Sequence, residues 1–319
     1  MIKKYNILLA TLLAFMTVGY SSVSASSAKI QSVQVFVSDN KDGKITPKLI
    51  SEAFTKAGLK SAGNNDMNKP FSQRFPKLHY KTYNLAMFKN DALTLALIKK
   101  YPSFGVLTPL TMSIWSDKGT MNISTLSIDG MARTANIPLN DPDLIDYASM
   151  VTKALKKAMP KGKFKSLDFT VKNPTKSFVI DFSMEVEIDE DTDMEEFRED
   201  FEGEFEGELE PIGFMFPNYT NVGEDLFEDA GYDAYDFYVT YSICKFDVIY
   251  PVSRLHPEAG AYAPCAFYLY KKKGEDTMHM GYLGVKNWIE TLDIKEQDAI
   301  KPLLKAQETI NGIVNEIIE

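Results

Sequence analysis

Two cysteines and three histidines in 319 residues leave the chain short of the side chains that metal, thiol and acid–base chemistry use most. Cys244 and Cys265 are too few for a disulfide framework. His79, His256 and His279 form no His-x-x-x-His pair and no other metal-ligand spacing. The chain also lacks a Gly-x-Ser-x-Gly nucleophile elbow and a phosphate-cradling glycine loop. No catalytic residue is assigned on this basis, and no cofactor is implied. Beyond the N-terminal segment, no run approaches the roughly 20 apolar residues that a membrane-spanning helix needs.

The N-terminus has a layout of its own. Lys3 and Lys4 form a short basic head, and residues 7–18 are apolar apart from two threonines. Val23-Ser24-Ala25 then places small residues where signal peptidase cuts. The apolar run is too short to cross a bilayer as a helix. Residues 1–25 are therefore expected to be a secretory signal, and the mature protein to be exported, periplasmic or extracellular, and soluble. The alternative is an uncleaved N-terminal anchor.

The net charge of −9 conceals a division. Residues 26–165 carry 21 Lys and Arg against 10 Asp and Glu, whereas residues 166–319 carry 12 against 34. The basic half has no nucleic-acid motif, and an exported protein rarely meets nucleic acid, so no such partner is expected. The two halves are expected to dock on one another. Charge complementarity would set their orientation, and apolar contact would supply most of the stability.

An internal repeat decides the fold class. Shifted by 155 residues, the chain meets itself without a gap over a long stretch. Gly58 falls on Gly213, Tyr83 on Tyr238, and Pro102, Gly105 and Pro109 fall on Pro257, Gly260 and Pro264. In both copies this Pro-x-x-Gly-x-x-x-Pro loop precedes an apolar run and a Lys-Gly turn. In the first copy, alternating valines predict a strand over 33–37. Thr46 and Pro47 supply the N-cap and first position of a helix that Gly58 ends, with Leu49, Ile50, Ala53, Phe54 and Ala57 on its apolar face. A strand over 79–88 and a short helix over 91–100 follow. A hairpin pairs 110–115 with 121–128 across Ser116-Asp117-Lys118-Gly119. A closing helix runs from Asp141 to about Met159, with Ile145, Val151 and Leu155 facing inward.

The second copy predicts a strand over 185–188 and a helix capped by Asp193 that runs to Gly213. A strand over 235–244, a hairpin of 265–270 with 277–283 and a helix over 296–318 complete it. The repeats are placed at 29–159 and 178–319, with a turn-prone linker over 160–177 that begins Pro160-Lys161-Gly162-Lys163. Leu167, Phe169, Val171, Phe178 and Ile180 suggest that the region before Asp181 adds a strand to the second copy. The reading is α+β.

Several motifs carry potential chemistry. Met278-His279-Met280 offers thioether and imidazole ligands, and His256 and His279 are the weak candidates for metal. On a strand, however, Met278 and Met280 share one face and His279 points to the other, which fits core packing. Residues 39–45 (Asp-Asn-Lys-Asp-Gly-Lys-Ile) are similar to part of a calcium loop, but Leu49 stands where the bidentate acid is needed, so a strand-to-helix turn is expected. Asp189, Asp191 and Asp193 alternate, with Met194 where such a loop needs Gly. From 185 to 210 there are 15 acids among 26 residues. Phe197, Phe201, Phe205 and Leu209 recur every fourth residue there, which predicts an apolar helical face opposite a carboxylate face. That acidic face is expected to look toward solvent or a basic partner. Tyr232, Tyr235, Tyr238, Tyr241 and Tyr250 read mostly as buried strand aromatics. Cys244 and Cys265 are expected on neighbouring strands, close enough to pair in an oxidising compartment, with two buried free thiols as the alternative.

At the Pro/Gly loop and its hairpin the chain resembles the family called domain of unknown function 302. The residues that carry the resemblance are Pro102-Ser103-Phe104-Gly105 with Pro109, and Pro257-Glu258-Ala259-Gly260 with Pro264. The resemblance implies two tandem β-α-β4-α units with the architecture of TATA-binding proteins, and it brings no activity. The loop supplies the candidate ligand-binding residues Tyr101, Gly105, Pro109, His256, Glu258, Gly260 and Pro264. The leading reading is a ligand- or protein-binding module for an unknown protein or small molecule. The alternative is an enzyme or metal-handling protein that uses His256, Glu258 and the cysteines.

Overall fold

The structure, a computed structural model, describes residues 31–167, 171, 179–188 and 192–319. The expected signal segment lies outside the described residues, as do Phe169, Phe178, Asp189 and Asp191. Alternating apolar residues form β1 (Val33–Asp39), and α1 (Pro47–Thr55) follows. The Thr46 hydroxyl caps α1 by accepting from the Leu49 N–H. Its end is a left-handed glycine: Gly58 has φ +97° and lets the Leu59 N–H reach back to the Phe54 carbonyl. The counterpart Gly213, at φ +92°, does the same for Phe214 and Leu209.

Next come β2 (Lys60–Asp66), α2 (Asn68–Arg74), β3 (Tyr83–Lys89), α3 (Asp91–Lys100) and a 3₁₀ turn over Pro102–Leu107. The hairpin is β4 (Leu110–Asp117) with β5 (Thr120–Leu126), followed by α4 (Ile128–Ala135) and α5 (Pro142–Ala158). Asp141 caps α5 through the N–H groups of Asp143 and Leu144. Leu144, Tyr147, Val151 and Leu155 take the inward positions of α5, which leaves Ile145 45 % exposed. Leu49 is likewise exposed, because Ile50 and Phe54 fill the inward face of α1.

A short β6 (Lys163–Lys165) pairs with β1, so the start of the expected linker is a sixth strand of the first sheet. The second repeat runs β7 (Val179–Glu185), α6 (Met194–Leu209), β8 (Met215–Asn221), a π turn over Gly223–Glu228, β9 (Tyr235–Cys244), α7 (Phe246–Leu255) and a 3₁₀ turn over Pro257–Ala261. It ends with β10 (Cys265–Lys272), β11 (Thr277–Leu283), α8 (Lys286–Thr291) and α9 (Gln297–Ile318). The first strand of this repeat thus lies upstream of the expected 185–188. The register, with Thr277 opposite Glu185, leaves 186–188 beyond the end of β11.

Both sheets are antiparallel. Their orders are β2-β3-β4-β5-β1-β6 and β7-β11-β10-β9-β8, so apart from β6 the two repeats share one topology. Helices α1 and α5 pack together on the first repeat, and α6 packs on α9 and β9 in the second. The second repeat has its own outer core, where Phe201, Phe205 and Leu209 meet Phe237, Val239, Phe267, Met278 and Met280. The larger core is continuous across both repeats and takes in Tyr83, Leu85, Tyr238 and Tyr268. No helix among the described residues is long and apolar enough to cross a membrane.

Candidate functional site

The repeated Pro/Gly loop sits between the two sheets, and each copy lies on the sheet of the other. A Cβ built on Gly105 would stand 2.4 Å from the Tyr238 hydroxyl and 2.6 Å from Tyr268 Cβ. On Gly260 it would stand 2.4 Å from Ser113 Cβ and 2.7 Å from a Leu85 methyl. Glycine is required at both positions by close approach. The hydrogen bonds are reciprocal as well. Tyr238 donates to the Pro102 carbonyl at 2.5 Å, and its counterpart Tyr83 donates to the Pro257 carbonyl at 3.3 Å. Ser113 adds a donation to Pro257 at 2.6 Å and Thr111 one to Ala261 at 2.9 Å. Burial pushes the phenols of Tyr83 and Tyr238 far up, so both stay neutral donors. The peptide bonds into Pro109 and Pro264 are both cis.

A second band of contacts crosses at the 75–82 segment. Tyr250 stacks on Phe75 at 3.8 Å, donates to the Lys77 carbonyl at 2.6 Å and lies 3.0 Å from His79 Nε2. Burial, then Lys77 and Arg254, lowers the His79 pKa, which favours the neutral ring. Charge has a small share in this docking. Among the described residues the ion pairs across the seam are Lys89–Asp225 at 3.7 Å and Arg133–Glu290 at 3.8 Å. The carboxylates of Glu195, Glu196, Glu199 and Glu204 on α6 are exposed to solvent.

Docking leaves a groove of about 540 Å³ where the edge strands β2 and β8 meet. Met215, Phe216 and Phe246 give it apolar walls, Asn65, Asp66 and Lys69 stand at the other side, and Pro264 and Cys244 also line it.

Residues 36–161 and 186–317 each match the family described as "Domain of unknown function DUF302". The chain belongs to this family. A solved structure described as an uncharacterized conserved DUF302 protein from Bacillus stearothermophilus is similar at 14% identity, with a TM-score of 0.35, over 44% of this chain and 98% of that chain. No curated protein matches.

The remaining candidate residues of the two DUF302 repeats occupy equivalent places. Tyr101 donates to Asp141 at 3.1 Å, and Lys100 pairs with the same carboxylate at 2.5 Å. At the matching position His256 Nε2 lies 3.0 Å from Glu296, and Nδ1 lies 3.4 Å from Glu258. Asp141 and Glu296 are the N-cap residues of α5 and α9, so in both repeats the loop is tied to the start of the closing helix. Burial opposes the His256 charge, but hydrogen bonds to Glu258 and Glu296 outweigh it and raise the pKa. The His256 hydrogen bond draws Glu296 down to about 2.

The cysteines stand apart from this group. Both are free thiols. Cys265 is in register with Ile243, so it is offset by one residue from Cys244 instead of standing directly opposite it. The expected neighbouring strands are present, and the expected bond is not. Both cysteines line a small apolar cavity under α7 and α9. Burial pushes each thiol up to about 12, which keeps both protonated and poorly nucleophilic.

Met278 and Met280 are fully buried in the outer core, while His279 stacks on Tyr270 at 5.0 Å. Among the described residues no group of three or more His, Cys, Asp and Glu is arranged to hold a metal. Docking of the two halves was expected from the sequence; that the repeated loops carry it was not, although the matched tyrosines and glycines at one offset were its signal.

Proposed function

We propose that the protein is an exported binding module in which the two DUF302 repeats act as one pseudo-symmetric body with a ligand groove at their seam. The observation that carries this reading is the groove between β2 and β8, lined by residues of both repeats. Its volume lies in the range of small-molecule sites, which favour domain interfaces. Apolar walls from Met215, Phe216 and Phe246 beside Asn65, Asp66 and Lys69 suit a small amphiphilic organic molecule. The N-terminal layout supports export, and the strand order within each repeat supports the TATA-binding-protein-like architecture that the family resemblance implies. The enzyme and metal readings have less support, because His256 faces Glu258 and Glu296 while the cysteines lie elsewhere.

Native mass spectrometry of protein purified from the exported fraction of its own host tests the proposal. The expected result is a chain beginning at Ser26 with a stoichiometric small-molecule adduct that Phe216→Arg abolishes. A bare wild-type mass, or an adduct indifferent to Phe216→Arg and Met215→Arg, would overturn the groove. An intact N-terminus would overturn export by a cleaved signal.

A further inference from the structure

A second opening lies wholly within the first repeat, away from the seam groove. It has a volume of about 630 Å³ and lies between the β1–α1 loop, the segment before β3 and the β4–β5 turn. Its walls are held in place before any ligand arrives. The Asn40 side chain spans the loop, accepting from the Ile45 N–H and donating to the Ile45 carbonyl, each at 2.8 Å. The Asn40 N–H donates to the Gly119 carbonyl at 2.8 Å, which joins the loop to the hairpin turn. Ser116 accepts from the Thr82 N–H at 3.0 Å and fixes the third wall.

Three lysines, Lys41, Lys81 and Lys118, line this cleft against one carboxylate, Asp117. Lys41 lies with its stem along Gly119. None of the three makes an ion pair among the described residues. The start of α1 also opens here through Thr46 and Pro47, so the positive end of a helix adds to the lysines.

The second repeat supplies an internal comparison. Lys118 corresponds to Lys273, which is paired with Asp233. Lys81 corresponds to Asp236, which holds the buried Lys271 at 2.5 Å. The same positions are neutralised in one repeat and left positive around an open cleft in the other.

We propose that this cleft binds a small multivalent oxyanion, a phosphorylated or polycarboxylate compound. Three ammonium groups around one space of this size satisfy several negative oxygens at once, which a monovalent anion does not require.

The test is titration of inorganic pyrophosphate and, separately, citrate into the full chain at low ionic strength, by calorimetry and by amide chemical-shift mapping. The expected result is saturation at one site per chain by at least one probe, with shifts centred on Thr82, Lys118 and Gly119. Tighter pyrophosphate points to a phosphorylated source and tighter citrate to a carboxylate source. The double variant Lys81→Gln/Lys118→Gln should weaken binding about tenfold or more, the worth of one charge-assisted hydrogen bond. Lys273→Gln should leave it unchanged. Saturation by neither probe, shifts centred elsewhere, or full affinity in the double variant would each overturn the proposal. Because the seam groove shares none of these residues, Phe216→Arg leaves this binding intact even where the groove proposal fails.

Discussion

Replacing Gly260 by alanine drives a methyl group into the sheet of the other repeat. The new carbon would sit 2.4 Å from Ser113 Cβ, 2.7 Å from Leu85 Cδ2 and 3.0 Å from Ser113 Cα. The Leu85 methyl can turn away. Ser113 cannot, because it lies in the middle of β4, paired with Leu85 of β3 on one side and Ser124 of β5 on the other. Overpacking of this kind costs about 1–3 kcal/mol. Pushing the loop outward also stretches the Ser113 and Tyr83 hydrogen bonds to the Pro257 carbonyl, each worth about 1 kcal/mol. A loss of roughly 2–4 kcal/mol is expected from these two effects together, read from urea unfolding of the full chain. Gly207→Ala is the control of opposite sign. Nothing lies within 4 Å of its new carbon on α6, so removing the helical glycine should stabilise by about 0.5–1 kcal/mol. A Gly260→Ala protein within experimental error of wild type would refute the claim that the loop is held by contact with the other sheet.

The tie between His256 and Glu296 sets a pH window. The folded-state pKa of His256 is raised above 6.5, so its contribution is complete below that pH and is lost as pH rises through the folded value. Glu296 is lowered from 4.5 to about 2, so its contribution is present above pH 4.5 and lost as pH falls toward 2. The destabilisation by His256→Gln should therefore be greatest between these limits and smaller at pH 8.5; a difference that grows with pH would contradict it. Ellman titration in guanidinium without reductant should count two thiols per chain, while the folded protein reacts slowly at neutral pH; a count of zero would mean that Cys244 and Cys265 are bonded.

Local signals carried much of the architecture. Thr46, Asp141 and Asp193 were legible as helix caps because capping is a short-range contest between a side chain and the first free N–H groups. Phe201, Phe205 and Leu209 were legible as a buried stripe from their spacing alone. Strand β2 was not, since Lys60–Asp66 is polar, contains Gly63 and sits at a sheet edge with little apolar surface to alternate. The matched positions of Pro102 and Pro257 gave the repeat, but they could not show what the loop touches. Its neighbours come from the other half of the chain, and spacing cannot report a contact across 136 residues such as Tyr238 with Pro102. The opening lined by Lys41, Lys81 and Lys118 was hidden for the same reason, because three separate segments build it.

The crossed placement of the two loops ties the history of one half of the chain to that of the other. A side chain gained at position 105 must be accommodated by Tyr238 and Tyr268, and one gained at 260 by Leu85 and Ser113. A change at either site in one copy is therefore limited by what the other copy carries. The outward faces carry no such mutual restraint. One copy is rich in lysine and the other in glutamate, each with its own character around a shared joint.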